Sequence, residues 1–224
     1  MTRSLMRTTA LLAGALALGT LAADARPGVA PARVGSIEGV VTFEARPARR
    51  TLDRYSSTGV AARTLQAVPA VAYLEGRMTG VSGASGRMEV AQVDTAFAPA
   101  LLVVPAGATV AFPNRDPFFH NVFSYSPAKR FDLGRYPRGE SKSVEFDRAG
   151  IAKVYCEVHE FMRSAVVVVE NPYYAVVGAG GRFTIRNVPA GRHRLVVWDI
   201  ERRPHEMDVT VTDGGVARVQ VTLK

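Results

Sequence analysis

Ile151-Ala-Lys-Val-Tyr155-Cys156-Glu-Val-His159-Glu-Phe-Met162 is the stretch from which the rest of the chain can be read. Its first five residues are mostly β-branched, aromatic or small, and predict a strand over Ile151–Tyr155. The pattern C-x2-H-x2-M begins where that strand ends. Cys156 is the single cysteine of 224 residues, and His159 is one of 4 histidines. One thiol excludes an internal disulfide and any all-cysteine zinc or iron–sulfur site.

A second imidazole lies upstream, in Asn114-Arg-Asp116-Pro-Phe-Phe-His120-Asn121, just beyond a strand predicted at Thr109–Pro113. Two strand ends can bring His120, Cys156, His159 and Met162 to the same end of a β-sandwich. Soft sulfur donors with two imidazoles favour copper. His120, His159 and Cys156 form a trigonal set, and Met162 supplies a long axial donor. Such a set holds either oxidation state with little rearrangement.

Other readings compete. Taken singly, each of these residues reads as ordinary core or surface. Zinc also takes Cys and His, with Glu157 or Glu160 as the further donor. Cys156 and His120 imitate a reactive Cys–His pair, although no CxxC is present. Asp116 reads as a turn residue, and Glu157 and Glu160 sit in a loop with no arrangement for acid–base catalysis. No phosphate-cradling glycine loop appears. His193 and His205 lack a neighbouring Cys or third His, which argues against a second copper cluster. An enzyme is not expected.

Further from the site, apolar runs of four to eight residues are punctuated by Gly, Pro, Asn and Asp. They predict strands at Ser36–Phe43, Ala70–Leu74, Leu101–Val104, Ser143–Phe146, Ala165–Glu170, Arg182–Ile185, Arg194–Trp198, Glu206–Val211 and Val216–Leu223. Leu52–Val68 reads as a short helix or a loop, and Gly76–Gly86 as a connection. Asn171-Pro172 is a natural break. The fold class is all-β, with two sandwich-like units.

Composition narrows the setting. The chain is 47% hydrophobic and 21% charged, which is ordinary for a folded protein. The net charge is +8, yet the basic residues are scattered and no nucleic-acid partner is expected. Residues 1–25 read as a signal peptide: Arg3 and Arg7, an apolar stretch, then Ala23-Asp24-Ala25 as an A-x-A cleavage site. Nothing after residue 30 is long and apolar enough to span a bilayer.

At its histidines, cysteine and methionine the chain resembles the cupredoxins, the plastocyanin, azurin and amicyanin superfamily. The C-x2-H-x2-M spacing is that of amicyanin-like members. Val104-Pro-Ala-Gly-Ala-Thr-Val110 with Phe112-Pro-Asn114 resembles the family segment before the first His. The resemblance covers about Met88–Glu170 and implies a Greek-key β-sandwich with His120, Cys156, His159 and Met162 as copper ligands. It also implies that Asn121 pins the two ligand loops, and that electrons leave at the edge of His159 through an apolar patch for which Pro117, Phe118, Phe119 and Phe161 are candidates. His120-Asn-Val-Phe-Ser124, with Phe131-Asp-Leu-Gly134, more narrowly resembles periplasmic proteins labelled methylamine-utilisation-like.

Gly180–Trp198 is similar to the core motif of carboxypeptidase-regulatory-like, transthyretin-type sandwiches. Gly178 stands at the usual Asp position and His193 at the usual Tyr position. Gly39-Val-Val41 and Val71–Leu74 fit the opening strands of such a domain. Residues 36–75 and 171–224 are expected to build one small sandwich jointly, with a copper domain at 88–170 inserted between them; the alternative is an extended N-terminal arm followed by two independent domains. The implied function is a periplasmic type 1 (blue) copper protein that transfers one electron through a single copper. A redox protein such as a periplasmic dehydrogenase or cytochrome would be its partner, with Lys129, Arg130 and Arg135 steering an acidic one. The alternatives are a periplasmic copper carrier or sensor, or a partner-binding protein with structural copper.

Overall fold

A strand with water on one side alternates apolar and polar residues, whereas a strand covered on both sides reads as a continuous apolar run. Ala70-Val-Ala-Tyr-Leu74, Ala165-Val-Val-Val-Val169 and Leu195-Val-Val-Trp198 are runs of the second kind, and every one of their residues is buried. The computed structural model describes residues 33–44, 69–78 and 88–224. The expected leader at 1–25, the segment Leu52–Val68 and most of the Gly76–Gly86 connection lie outside the described residues.

The strands in chain order begin with β1 (Val34–Phe43), β2 (Ala70–Leu74), β3 (Met88–Glu89), β4 (Ala91–Val93), β5 (Ala96–Ala98) and β6 (Leu101–Pro105). There follow β7 (Ala108–Pro113), β8 (His120–Ser126), β9 (Lys129–Tyr136), β10 (Ser141–Phe146), β11 (Gly150–Tyr155) and β12 (Arg163–Val169). The last are β13 (Tyr174–Val176), β14 (Arg182–Pro189), β15 (Gly191–Asp199), β16 (His205–Val211) and β17 (Val216–Leu223). A three-residue 3-10 turn at Ala179–Gly181 is the one helical element among the described residues. None of their helices is long and apolar enough to cross a membrane. The protein is all-β.

Among the described residues three cores lie between four larger sheets, and β4 and β5 form a fifth, two-stranded sheet. The sheet β14-β1-β17 faces β13-β2-β15-β16 across Ile37, Leu74, Phe183, Ile185, Leu195 and Leu223. The sheet β10-β7-β3 faces β6-β12-β11-β8-β9 across Phe112, Phe146, Val154, Val166 and the loop residues Cys156 and Met162. These are the two sandwiches. They are stacked, because Val71, Tyr73, Val196 and Trp198 of the one meet Leu101, Ala165, Val167 and Val169 of the other in a third core. Along β12, Ala165, Val167 and Val169 enter this third core and Val166 and Val168 enter the second, which explains the unbroken valines.

Strand pairing crosses the middle of the chain. β1 pairs antiparallel with β14 and parallel with β17, and β2 pairs with β13 and β15. All of β3–β12 lies between these partners in sequence.

Two strands near the site were not expected. His120 opens β8 rather than lying in a loop beyond a strand, and β8 pairs with β9, His120 standing opposite Tyr136. β9 reads Lys-Arg-Phe-Asp-Leu-Gly-Arg-Tyr, with Gly and charged residues of low strand propensity. It is an edge strand, where outward charges also discourage pairing with another chain.

Candidate metal centre

The loop 156–162 joins two paired strands, with Tyr155 of β11 opposite Arg163 of β12 at its neck. Inside it, the Met162 N–H donates to the His159 carbonyl at 2.9 Å, and the Cys156 N–H donates to the Met162 carbonyl at 3.2 Å. Asn121 reaches across from β8: its Oδ1 accepts the Glu157 N–H at 2.8 Å. It ties the His120 segment to the cysteine loop, the role implied for it.

Within this frame the donor atoms of His120, Cys156 and His159 lie within 4.8 Å of one another. Cys156 Sγ is 3.8 Å from His120 Nδ1, and the Nδ1 atoms of His120 and His159 are 3.1 Å apart. His120 and Cys156 are buried, and His159 is half-buried. Met162 is buried beside Cys156 in the core of this sandwich, 1% exposed, its sulfur on the same short loop. Two imidazole nitrogens and a thiol converging at the edge of an apolar core, with a thioether on their loop, suit a soft metal ion. No carboxylate joins the cluster among the described residues: Glu157 is turned to Arg135, and Glu160 is exposed.

Asp116, read from sequence as a turn residue, orients His120. Its Oδ2 lies 2.8 Å from His120 Nε2. The same carboxylate accepts the N–H of Asp94 at 2.7 Å and of Thr95 at 2.9 Å. Asp94 and Thr95 both have positive φ, the left-handed pair of a two-residue turn between β4 and β5. Burial pushes the Asp116 carboxyl up, but the hydrogen bonds from Thr95, His120 and Asp94 outweigh it and leave it below the ordinary carboxylate range. A lasting carboxylate accepts the Nε2–H of His120 and leaves the Nδ1 lone pair facing Cys156 and His159. The i,i+4 spacing of Asp116 and His120 was the available sequence signal. Nothing in the sequence indicated that the β4–β5 turn supplies the other donors.

A second polar group backs the site. The Gln92 Nε2–H donates to the Tyr136 hydroxyl at 2.6 Å, and that hydroxyl donates to the Phe112 carbonyl at 2.7 Å. Burial, with Cys156 nearby, raises the Tyr136 phenol above its ordinary range.

The segment before His120 and the loop around His159 both carry exposed apolar residues. Phe118, Phe119, Val158 and Phe161 are all exposed, as is Pro117, and the Phe161 ring lies 6.3 Å from that of His159. Of the cations expected to steer a partner, Lys129 is held by Asp147 and Arg135 by Glu157. Arg130 lies over the Tyr125 ring.

Comparison with known proteins agrees with both sandwiches. The model of the family "copper binding proteins, plastocyanin/azurin family" matches residues 84–169, and that of the carboxypeptidase regulatory-like domain matches residues 157–224. The chain thus carries a cupredoxin-like domain and a regulatory-like, transthyretin-like domain. The two matches overlap on the loop and β12, the strand whose faces enter both neighbouring cores. Among solved structures, a Cu-containing nitrite reductase from Thermus scotoductus SA-01 is 25% identical over 38% of this chain, with a TM-score of 0.36. The match spans 22% of that reductase. The reduced Cu(I) form of a point mutant of amicyanin is 28% identical, covering 38% of this chain and 84% of its own, with a TM-score of 0.35. A purple cupredoxin from Nitrosopumilus maritimus is 24% identical over 36% of this chain and 98% of its own, with a TM-score of 0.33. No curated protein matches the chain.

Proposed function

We propose that this protein is a type 1 copper protein of the periplasm that carries single electrons between redox proteins, and is not itself an enzyme. The observation that carries the reading is the convergence of His120 Nδ1, Cys156 Sγ and His159 Nδ1, with Asp116 holding the far side of His120. His120, Cys156, His159 and Met162 are the proposed ligands. Copper bound there supplies a one-electron couple. The protein's part is to keep the donors in one arrangement in both oxidation states. Asn121 and the loop hydrogen bonds fix the cysteine loop, Asp116 fixes the His120 ring, and the core around Met162 excludes water. His159, half-buried beside the exposed Phe161, is the proposed exchange point for a partner such as a dehydrogenase or cytochrome.

A copper carrier would need donors through which the ion could leave. Met78 and Met88 do not offer them, since each packs against a different core. The domain division proposed is 36–75 with 171–224 for the regulatory-like unit, and 88–170 for the copper unit. Residues 1–25 are proposed to direct export, which a fusion of those residues to a reporter would test by fractionation.

The deciding experiment adds Cu(II) to the metal-free protein and records absorption and paramagnetic resonance. An intense thiolate-to-copper band is expected, absent in Cys156→Ser and altered in Met162→Ala. A protein that stays colourless with copper and takes up only zinc overturns the reading. If the band forms but cannot be bleached and restored by small redox partners, storage replaces electron transfer.

A further inference from the structure

We infer that the second sandwich holds the metal loop in place, and that Glu201 is a positioning residue acting on Met162 through Arg163. This rests on the copper reading above and adds a role for the regulatory-like unit.

Arg163 directly follows Met162 and opens β12 at the loop neck. It forms an ion pair with Glu201, which lies on the turn between β15 and β16 in the other sandwich. The carboxylate is largely shielded, 17% exposed, while Arg163 is about half exposed. The turn that presents Glu201 is braced. Asp199, fully buried, accepts the N–H groups of Glu201 and Arg202 on one oxygen at 2.8 Å each, and the Arg202 Nη1–H on the other at 2.7 Å. The Trp198 Nε1–H donates to the Arg202 carbonyl at 3.0 Å. On the opposite arm of the neck, Lys153 of β11 sets its ammonium 5.8 Å from the Trp198 ring. Both arms of the hairpin that carries the loop are thus gripped from the second sandwich.

The path from this grip to the donors is short. The Met162 carbonyl accepts the Cys156 N–H, and the Met162 N–H donates to the His159 carbonyl. A shift of Arg163 therefore moves Met162 against both Cys156 and His159. Charges placed beside an otherwise apolar interface are a poor source of net stability, because desolvation offsets their attraction, but they fix orientation. The apolar contacts of the third core already hold the two sandwiches together. Charged contacts flank it at both ends of β12: Arg77 pairs with Glu170 at the far end, and Arg163 with Glu201 at the loop end, where Lys153 also lies over Trp198.

The test loads the full-length protein with Cu(II) and compares wild type, Glu201→Gln, Arg163→Gln and the charge-reversed double variant Arg163→Glu with Glu201→Arg. Both single variants are expected to keep the wild-type circular dichroism and still take up copper. Their ratio of visible thiolate-to-copper bands and their copper hyperfine splitting should shift, with about tenfold faster loss of copper to a chelator, the lower end of the effect of an outer contact. The reversed pair should move all three readings back toward wild type. Arg163 is half exposed, so its variant remains interpretable if Glu201→Gln misfolds. Single variants with wild-type spectra and wild-type copper loss overturn the inference. A wild-type protein without any thiolate band overturns the copper reading instead, and the two failures are told apart by the wild-type sample.

Discussion

Asp116 receives two backbone N–H groups and one imidazole on a single carboxylate, so its contribution is larger than that of a turn residue. In Asp116→Asn the amide cannot accept on both sides, and the His120 ring loses its preferred tautomer. Copper affinity is expected to fall about 10–100-fold, the range for lost outer contacts of a ligand histidine, read by competition with a chelator. The β4–β5 turn should loosen as well, because the N–H groups of Asp94 and Thr95, both at positive φ, share that carboxylate as acceptor. At this scale much of the candidate site was legible. Cys156, His159 and Met162 are close in sequence, and their spacing survives folding as a single loop. Asp116 lies in a bend, as its sequence suggests, but its hold on His120 depends on two donors about 20 residues away, across a turn no motif announces.

At the scale of elements, strands whose apolar residues face a core were readable, and β2 and β17 were bounded correctly from that pattern alone. β9 was hidden because its outward positions are charged, and β8 because Asn and two serines interrupt its apolar residues. The third core was hidden for the opposite reason: a strand covered on both faces has no alternation to read. β1 carries a testable local device. Gly39 stands opposite Phe183, and a Cβ placed there would collide with the ring. The ring fills the space that a side chain at 39 would take. Gly39→Ala should overpack this core and destabilise by about 1–3 kcal/mol, seen as a lower urea midpoint at unchanged slope. The pair Gly39→Ala with Phe183→Leu should recover part of the loss. An unchanged midpoint in Gly39→Ala would show that the ring moves aside freely.

For the molecule as a whole, the third core decides how independent the two units are. Cutting out residues 88–170 would expose Leu101, Ala165, Val167 and Val169 together on one sheet face. Such a contiguous apolar patch promotes association, so the fragment should sediment as aggregates. Threonine at 101 and 167 should return it toward monomer; a monomeric unmodified fragment would argue for independence. Tyr73 reports on the same core in the intact chain. It is 9% exposed, and burial first, then the charges of Glu75 and Glu206, raise its phenol from 10.0 to about 12. Below pH 10 it is protonated whether the chain is folded or not, and its contribution is fully present. As pH rises from 10 toward 12, the unfolded chain releases the proton while the folded one retains it, so stability falls. A separation of about two units corresponds to about 3 kcal/mol by the upper end of that window. Tyr136 loses stability in the same direction, so the wild-type curve alone cannot assign the effect. The difference between wild type and Tyr73→Phe can, because only Tyr73 is removed. Urea unfolding at successive pH values should give a constant difference below pH 10 that moves in favour of Tyr73→Phe as the pH climbs. A difference that stays flat to pH 12 would mean that Tyr73 ionises as readily in the fold as outside it, and that the contact between the sandwiches opens enough to admit water.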